Sequence, residues 1–188
     1  MKYAILLIAC NVTLLFMPTP VSGEIRLTIG SDHWPPYELA EKDFVTHGFS
    51  KQVVEAVLKR MDVKIEGKIF RYPFARLEHH ILHGHIDAAF SLSSDTERQT
   101  ACYFPAEPLI DSKWVLFIRQ KDKNRLTFAT LNDLKGKTIG VVRQYAYTPA
   151  FWAFLKKENN YETVSNDEQN FIKLRSGRID YAIAEYAN

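Results

Sequence analysis

The sequence predicts an α/β fold whose sheets are mainly parallel. Short apolar segments typical of strands alternate along the chain with segments in which apolar residues recur at helical spacing. Strands that alternate with helices form units in which neighbouring strands run parallel. The charged segment 120–125 separates two such series. The 188 residues are therefore enough for one domain or for two small lobes.

In the first series, two glycines mark the clearest boundaries. A strand-type alternation stops at Gly30, and a helical repeat stops before Gly84. The predicted strands of this series are 25–29, 63–70 and 86–90, and its predicted helices are 50–61 and 74–82.

The second series repeats the alternation and then ends abruptly. Its predicted strands are 114–118, 138–142 and 181–184, and its predicted helices are 149–157 and 168–174. The sequence stops at Asn188, with no helix after the last predicted strand. We therefore expect the second series to be incomplete.

Residues 1–23 have the three parts of a secretory signal peptide. Lys2 supplies the positive start, the stretch 4–17 is mostly apolar, and small residues precede Glu24. The apolar stretch is shorter than the roughly 20 residues that a membrane-spanning helix needs. The alternative is a lipoprotein signal in which Cys10 carries the lipid. We expect cleavage after Gly23.

Composition excludes several classes of partner. Without Lys2, the chain has 23 basic and 22 acidic residues, a net charge of +1. Such a balance indicates neither a groove for nucleic acid nor a polybasic patch for a membrane surface. Removal of Cys10 leaves Cys102 alone, so the exported protein has no internal disulfide and its fold must depend on the core.

The segment 87–98 carries the strongest indication of a binding site. An apolar strand runs into two hydroxyl residues, Ser91 and Ser93, and Arg98 follows. In open α/β sheets, ligands bind at the carboxyl ends of the strands. A guanidinium pairs with a carboxylate through two hydrogen bonds, and serine hydroxyls add further donors. The pattern favours a small carboxylate ligand. On residue chemistry alone, a solvated turn with Arg98 beside two acids is equally consistent.

Two other kinds of site are not expected. His79 and His83 are four residues apart, which matches one edge of a zinc site. No third ligand is evident, so a solvated polar face is favoured and no metal is expected. The sequence also has no Ser-His-Asp order, nucleophile elbow or phosphate-binding loop. We therefore do not expect an enzyme.

The order of several motifs resembles that of the bacterial extracellular solute-binding proteins of family 3, the polar-amino-acid receptors of ABC importers. Each motif is weak alone, but their order and spacing together are specific. The motifs are Trp34-Pro35-Pro36-Tyr37, Gly48-Phe49, Leu82-x-Gly84-x-x-Asp87, Ser91-x-Ser93-x-x-x-x-Arg98, Phe104-Pro105-x-x-Pro108, Asp133-Leu134-x-Gly136-Lys137-x-x-Gly140-Val141 and Gly177-Arg178-x-Asp180.

The resemblance implies a two-lobed, periplasmic-binding-protein-like fold of type II. In that fold, crossing strands join two α/β lobes that close on a ligand. On this template, residues 24–111 form the first lobe and residues 112–188 form part of the second. Family members are usually longer, so we expect the second lobe and the C-terminal return to the first lobe to be incomplete.

The resemblance also assigns roles to charged residues. Arg98, supported by Ser91 and Ser93, would bind the carboxylate of the ligand. Glu185 in the other lobe would bind its ammonium group. The alternative for Glu185 is an exposed acid near the end of the chain.

Aromatic residues would complete the implied site. Trp34 and Phe74 match positions that flank the ligand, although core packing is an equal alternative for Phe74. Tyr145, and less clearly Tyr147, would line the cleft near a helix start.

Three positions depart from the usual family pattern. Ser50 stands where an acidic residue is common, and Asp95 where a threonine is common. The pair Gln144-Tyr145 replaces a usual Gly-Thr pair, which leaves the donors from the second lobe and the identity of the ligand open.

The function implied by the resemblance is periplasmic binding of a small carboxylate-bearing solute, above all an amino acid. The protein would act as a monomer without a cofactor and deliver the solute to the permease of an ABC importer. The alternatives are a periplasmic enzyme of the same fold, similar to cyclohexadienyl dehydratase, a ligand-sensing domain, and an inactive fragment that keeps the fold signature without the function.

We expect the exported protein to begin at Glu24, because the small residues before it match a cleavage site. The intact mass of protein from the periplasmic fraction checks this. The variant Cys10→Ser should be cleaved in the same way. A membrane-bound product that carries a lipid on Cys10 would contradict the prediction.

Overall fold

The computed structural model describes residues 23–187. The predicted signal peptide, apart from Gly23, lies outside the described residues, as does Asn188. Within this range the chain forms eleven strands and five α-helices. None of these helices is long and apolar enough to cross a bilayer.

The first part of the chain, up to Ala101, contains seven strands and three α-helices. They are β1 Ile25–Leu27, β2 Ile29–Ser31, β3 Leu39–Glu41, β4 Phe44–His47, α1 Phe49–Arg60, β5 Val63–Ile65, β6 Phe70–Arg71, α2 Phe74–Leu82, β7 Ala88–Ala89 and α3 Thr96–Ala101.

The second part contains four strands and two α-helices, with two short 3-10 helices at Gln120–Asp122 and Leu131–Leu134. Its elements are β8 Trp114–Phe117, β9 Ile139–Val142, α4 Pro149–Glu158, β10 Tyr161–Val164, α5 Asp167–Arg175 and β11 Tyr181–Glu185.

Three sheets organise these elements into two lobes. In the first part, β1 pairs with β5, and a five-stranded sheet has the order β3-β4-β6-β2-β7. In the second part, a four-stranded sheet has the order β10-β9-β11-β8. We call these parts the first and second lobes. The predicted α/β class is confirmed, while the lobe boundary after residue 111 stays a prediction.

Most strand pairings are parallel, as expected, but both larger sheets are mixed. In the first lobe, β2 runs parallel to β6 and β7, and the hairpin β3–β4 joins antiparallel to this core. In the second lobe, β9 runs parallel to β10 and β11, and β8 lies antiparallel to β11.

Two predicted strands are divided in the structure. The segment 25–29 breaks at Thr28, whose backbone N and Oγ1 both donate to the Asp87 carboxylate, at 2.7 and 2.5 Å. The segment 63–70 breaks at a turn that includes Gly67, which has a φ of +72°. In both places a local polar or turn requirement overrides the apolar alternation.

Four elements, the two strands of a hairpin, one helix and one further strand, are absent from the sequence prediction. The hairpin β3–β4 has few buried residues, with its turn at Lys42, which has a φ of +54°. The helix α3 is only six residues long, and β10 has a single buried residue, Val164. Such short or solvated elements lack the periodicity on which the prediction depends.

The start of α1 holds the loop that contains Trp34 and Tyr37 against the first lobe. Gly48 precedes the helix with a φ of +115°, and the Ser50 N–H donates to the Tyr37 carbonyl at 3.1 Å. A Cβ on Gly48 would collide with that carbonyl oxygen. A glycine is therefore required here by both backbone conformation and close approach.

The lobes share one hydrophobic cluster. Phe74, at the start of α2 in the first lobe, packs with buried residues of the second lobe, including Tyr145, Tyr147 and Phe151. The rings of Phe74 and Tyr145 meet edge to face, with centroids 4.8 Å apart. This contact joins the two lobes beside the segment that was predicted to bind a ligand.

We expect Gly48→Ala to destabilise the protein more than Gly84→Ala. Both positions have positive φ, but a Cβ on Gly84 would meet nothing within 4 Å. Strained backbone costs about 1–3 kcal/mol, and Gly48→Ala adds a backbone collision to that cost. Urea denaturation measures the free energy of unfolding of both variants. Equal losses of this free energy would contradict the close approach of residue 48 to the Tyr37 carbonyl oxygen.

Candidate functional site

Arg98 lies in α3 and is buried. Asp95 caps this helix, because its side chain accepts a hydrogen bond from the backbone N–H of Arg98 at 2.9 Å. The Arg98 side chain is only 2% exposed. The solvated-turn alternative is therefore wrong.

Every N–H group of the Arg98 guanidinium has a protein partner. Nε and Nη2 donate to Oε1 of Glu78 in α2, at 2.9 and 2.6 Å. Nη1 donates to the carbonyl and the Oγ of Ser93, at 2.9 and 3.2 Å. Nη2 also donates to the carbonyl of Gln144, in the second lobe, at 3.1 Å. The guanidinium thus connects two helices and both lobes.

The structure brings one of the two predicted serines to Arg98. Ser93 accepts two of its hydrogen bonds. Ser91 instead donates to Oγ of Ser50 at 3.2 Å and adopts a φ of +59°. Ser91 and Ser50 both lie near the carboxyl group of Glu38.

Glu38 is the centre of a buried polar cluster. It is 1% exposed, and the hydroxyl of Ser31 donates to its Oε2 at 2.5 Å. Burial raises the pKa of Glu38 to about 8, although hydrogen bonds from the nearby serines oppose the shift. This shift favours the protonated form of Glu38 at neutral pH.

Asp32 is a second buried acid, directly after β2. Its carboxylate accepts from the His33 N–H at 2.7 Å and from the Tyr145 hydroxyl at 3.3 Å. Burial raises the pKa of Asp32 to about 7. Tyr145 is itself buried, which raises the pKa of its hydroxyl well above the ordinary value. It therefore acts as a hydrogen-bond donor to Asp32.

Adjacent residues of the second lobe thus contact both charged groups of the first. Gln144, which has a φ of +63°, accepts from Arg98, and Tyr145 donates to Asp32. These residues follow β9, at the carboxyl edge of the second sheet. Tyr145 thus lies at a contact between the lobes, and its role in lining a ligand cleft stays a prediction.

Trp34 and Glu185 lie around a second inter-lobe contact. The ring of Trp34 is 4.9 Å from Tyr37 and 6.5 Å from Trp114 in β8. Glu185 pairs in register with Trp114 and is only 3% exposed. The pKa of the Tyr37 hydroxyl is raised by burial and by the nearby charge of Glu185. The alternative of an exposed terminal acid is wrong.

Phe74 contacts both an aromatic ring of the second lobe and the guanidinium of Arg98. Its ring packs against Tyr145, and the Arg98 guanidinium carbon lies 5.2 Å from the ring centroid. It is therefore a core residue in this structure and also one wall beside the arginine.

The histidines form an exposed patch at the end of α2. The rings of His79 and His83 are 4.1 Å apart, and the Nδ1 atoms of His80 and His85 are 3.3 Å apart. Within residues 23–187, no three histidine, cysteine or acidic side chains are placed to hold one metal ion.

Sequence reasoning did not single out four of the site's main residues. Asp32 follows a strand directly, so the strand-end rule that located Ser91 applies to it as well. Glu38, Glu78 and Trp114 gave no comparable signal, because their roles depend on contacts with residues distant in the chain.

Comparison with known proteins identifies the family. Residues 27–169 match the model of the bacterial extracellular solute-binding proteins, family 3. This chain belongs to that family. The recognition made from the order of its motifs is thereby confirmed.

Proteins similar to this chain include named amino-acid-binding proteins. An arginine-binding periplasmic protein of Mannheimia haemolytica is 28% identical over 168 residues, which cover 89% of this chain and 66% of that protein. This chain thus spans slightly less than two thirds of the length of that curated relative.

Solved structures confirm the type of fold. An ancestral arginine-binding protein bound to arginine superposes with a TM-score of 0.73 at 22% identity, covering 86% of this chain and 70% of that one. An ancestral amino-acid-binding protein, a precursor of cyclohexadienyl dehydratase, superposes with a TM-score of 0.72 at 19% sequence identity, covering 86% of this chain and 71% of that one. At such identities the likeness of these family structures establishes the fold alone.

We expect the stability of this family member to fall as pH rises from about 5 to 8. The native state keeps a proton on Glu38, and in part on Asp32, that the unfolded chain releases near pH 4. Unfolding is therefore favoured as pH increases through this window. Glu38→Gln should reduce the slope of unfolding free energy against pH.

Urea denaturation at several pH values measures this slope. Glu107→Gln, which changes an exposed acid away from the buried cluster, is the matched control and should leave the slope unchanged. A Glu38→Gln variant with the full wild-type slope would show that Glu38 is ionised in the native state.

Proposed function

We propose that this chain binds a cationic amino acid, such as arginine, in the periplasm for delivery to an ABC importer. The observation that carries the proposal is the placement of Arg98 and Asp32 beside adjacent residues of the second lobe. Both are buried in the first lobe, and consecutive residues of the second lobe contact them. A ligand between the lobes would meet a cation for its carboxylate and an acid for its cationic group.

The acidic residues at the contacts between the lobes favour a ligand that carries net positive charge. Asp32 and Glu185 lie at the inter-lobe contacts, whereas the charge of Arg98 is already opposed by Glu78. A buried carboxylate and a guanidinium form strong, charge-assisted hydrogen bonds. A bound guanidinium would also favour the ionised form of Asp32, because an opposite charge lowers the pKa of an acid.

Aromatic rings provide the remaining surface. Trp34 and Trp114 face each other from different lobes, and a cation stacked on such rings gains about 0.5–2 kcal/mol. The indole N–H of Trp34 is buried without a hydrogen-bond partner among residues 23–187. A polar ligand group would satisfy this donor. Glu185 would bind the α-ammonium group.

The names of the relatives agree with this proposal. The curated relative and one solved relative are arginine-binding proteins. Membership of the family makes delivery to a membrane permease the natural purpose of binding.

A dehydratase of the same fold is a second candidate, favoured by the two raised pKa values. A carboxyl group that stays protonated near neutral pH can act as a general acid toward a leaving hydroxyl. One solved relative is a precursor of cyclohexadienyl dehydratase. Incubation with prephenate and arogenate, followed by absorbance, tests this candidate. Turnover lost in Glu38→Gln would favour the enzyme over the receptor.

We expect Arg98→Ala to weaken the binding of L-arginine at least about 30-fold. Removal of one partner of a buried charge pair costs about 2–5 kcal/mol, and each 1.4 kcal/mol is tenfold in affinity. Arg98→Lys should recover little, since an ammonium lacks the two-pronged geometry. Asp32→Asn should weaken L-arginine more than its neutral analogue L-citrulline.

Isothermal titration calorimetry measures these affinities. Arg76→Ala, which removes an exposed arginine of α2, is the control and should bind like wild type. If Arg98→Ala binds as tightly as wild type, the carboxylate site lies elsewhere. If wild type binds none of the L-amino acids in a panel, the receptor proposal fails.

A further inference from the structure

The Arg98 guanidinium already holds a carboxylate in this structure. Its Nε and Nη2, which form the edge that pairs best with a carboxylate, both donate to Glu78. Glu78 lies 20 positions earlier in the chain and on a different helix. A ligand carboxylate and Glu78 therefore require the same two donors.

The geometry of this internal pair is inferior to that of an ideal pair. Both hydrogen bonds end on one oxygen, Oε1, at 2.9 and 2.6 Å. The strongest guanidinium–carboxylate pairs are bidentate, with each of two oxygens accepting one parallel hydrogen bond. A ligand carboxylate that offers both oxygens would improve on the contact with Glu78.

The two partners also differ in their access to water. The Glu78 side chain is 13% exposed and the Arg98 side chain is 2% exposed. Glu78 can move toward water and be solvated there. Arg98 is held on its other side by Ser93 and Gln144. Without Glu78 or an exchange partner, its buried charge would keep only the more distant carboxylate of Asp95, whose Oδ2 lies 3.4 Å from Nε.

We infer that Glu78 is a built-in competitor that occupies the Arg98 fork and is exchanged for the carboxylate of the ligand. The inference rests on the proposed function. Glu78 thereby sets the affinity for carboxylate ligands, because each binding event must break the internal pair. It also keeps the buried guanidinium paired between binding events. A ligand that has no carboxylate does not displace it.

The test compares Glu78→Gln with wild type by calorimetry, using L-arginine and its decarboxylated analogue agmatine. We expect Glu78→Gln to bind L-arginine at least about tenfold more tightly, since the competing charge is gone. Its affinity for agmatine should change less than about twofold. Glu97→Gln, which removes an exposed acid from α3 itself, controls for long-range charge and should match wild type.

Glu78→Asp is a second variant in case the neutral substitution folds poorly. It keeps the charge but shortens the side chain, so it should also bind L-arginine more tightly. Without ligand, both variants should melt at a lower temperature than wild type, and saturating L-arginine should restore more stability to them than to wild type.

The outcomes separate the inference from the proposed function. Weaker or unchanged binding of L-arginine in both variants overturns the inference and identifies Glu78 as a residue that only positions Arg98, while the receptor function stands. Binding of L-arginine by wild type, and tighter binding by both variants, supports the inference. If no variant and no wild-type protein binds a carboxylate ligand, both the inference and the proposed function fail.

Discussion

The buried guanidinium of Arg98 is the constraint on which the site depends. A charge removed from water is costly unless it is paired and hydrogen-bonded. Its five N–H groups are satisfied by α2, by the segment before α3 and by the turn after β9. These partners come from both lobes. The contacts that position the two helices and the second lobe therefore all stabilise the same buried charge.

Strand ends and helical periodicity predict much of the fold and part of the site. The bounds of α2 follow from its apolar repeat, and the strand-end rule locates Ser93 and Arg98. The partner of Arg98 is not predictable in this way. Glu78 lies in a helix rich in histidine, and only the packing of α2 against α3 shows that its carboxylate faces inward.

Two departures from the usual family pattern have clear backbone roles in this chain. Asp95, in place of a threonine, caps the helix that carries Arg98. Gln144, in place of a glycine, adopts positive φ and contacts Arg98 through its main-chain carbonyl. Such positions are constrained by what the backbone must do, so residue identity alone is a poor guide to them. The aromatic side chain of Tyr145 is different, because it adds a specific hydrogen bond to Asp32.

The raised pKa of Asp32, about 7, gives this site a thermodynamic linkage between cations and protons. Near neutral pH the group is divided between its protonated and ionised forms. A cation that pairs with Asp32 selects the ionised form, so its uptake releases a fraction of a proton to the medium. Acidification of the surrounding medium would shift this equilibrium in the opposite direction by mass action. The apparent affinity of the protein for a cation would thus report the acidity of the compartment around it.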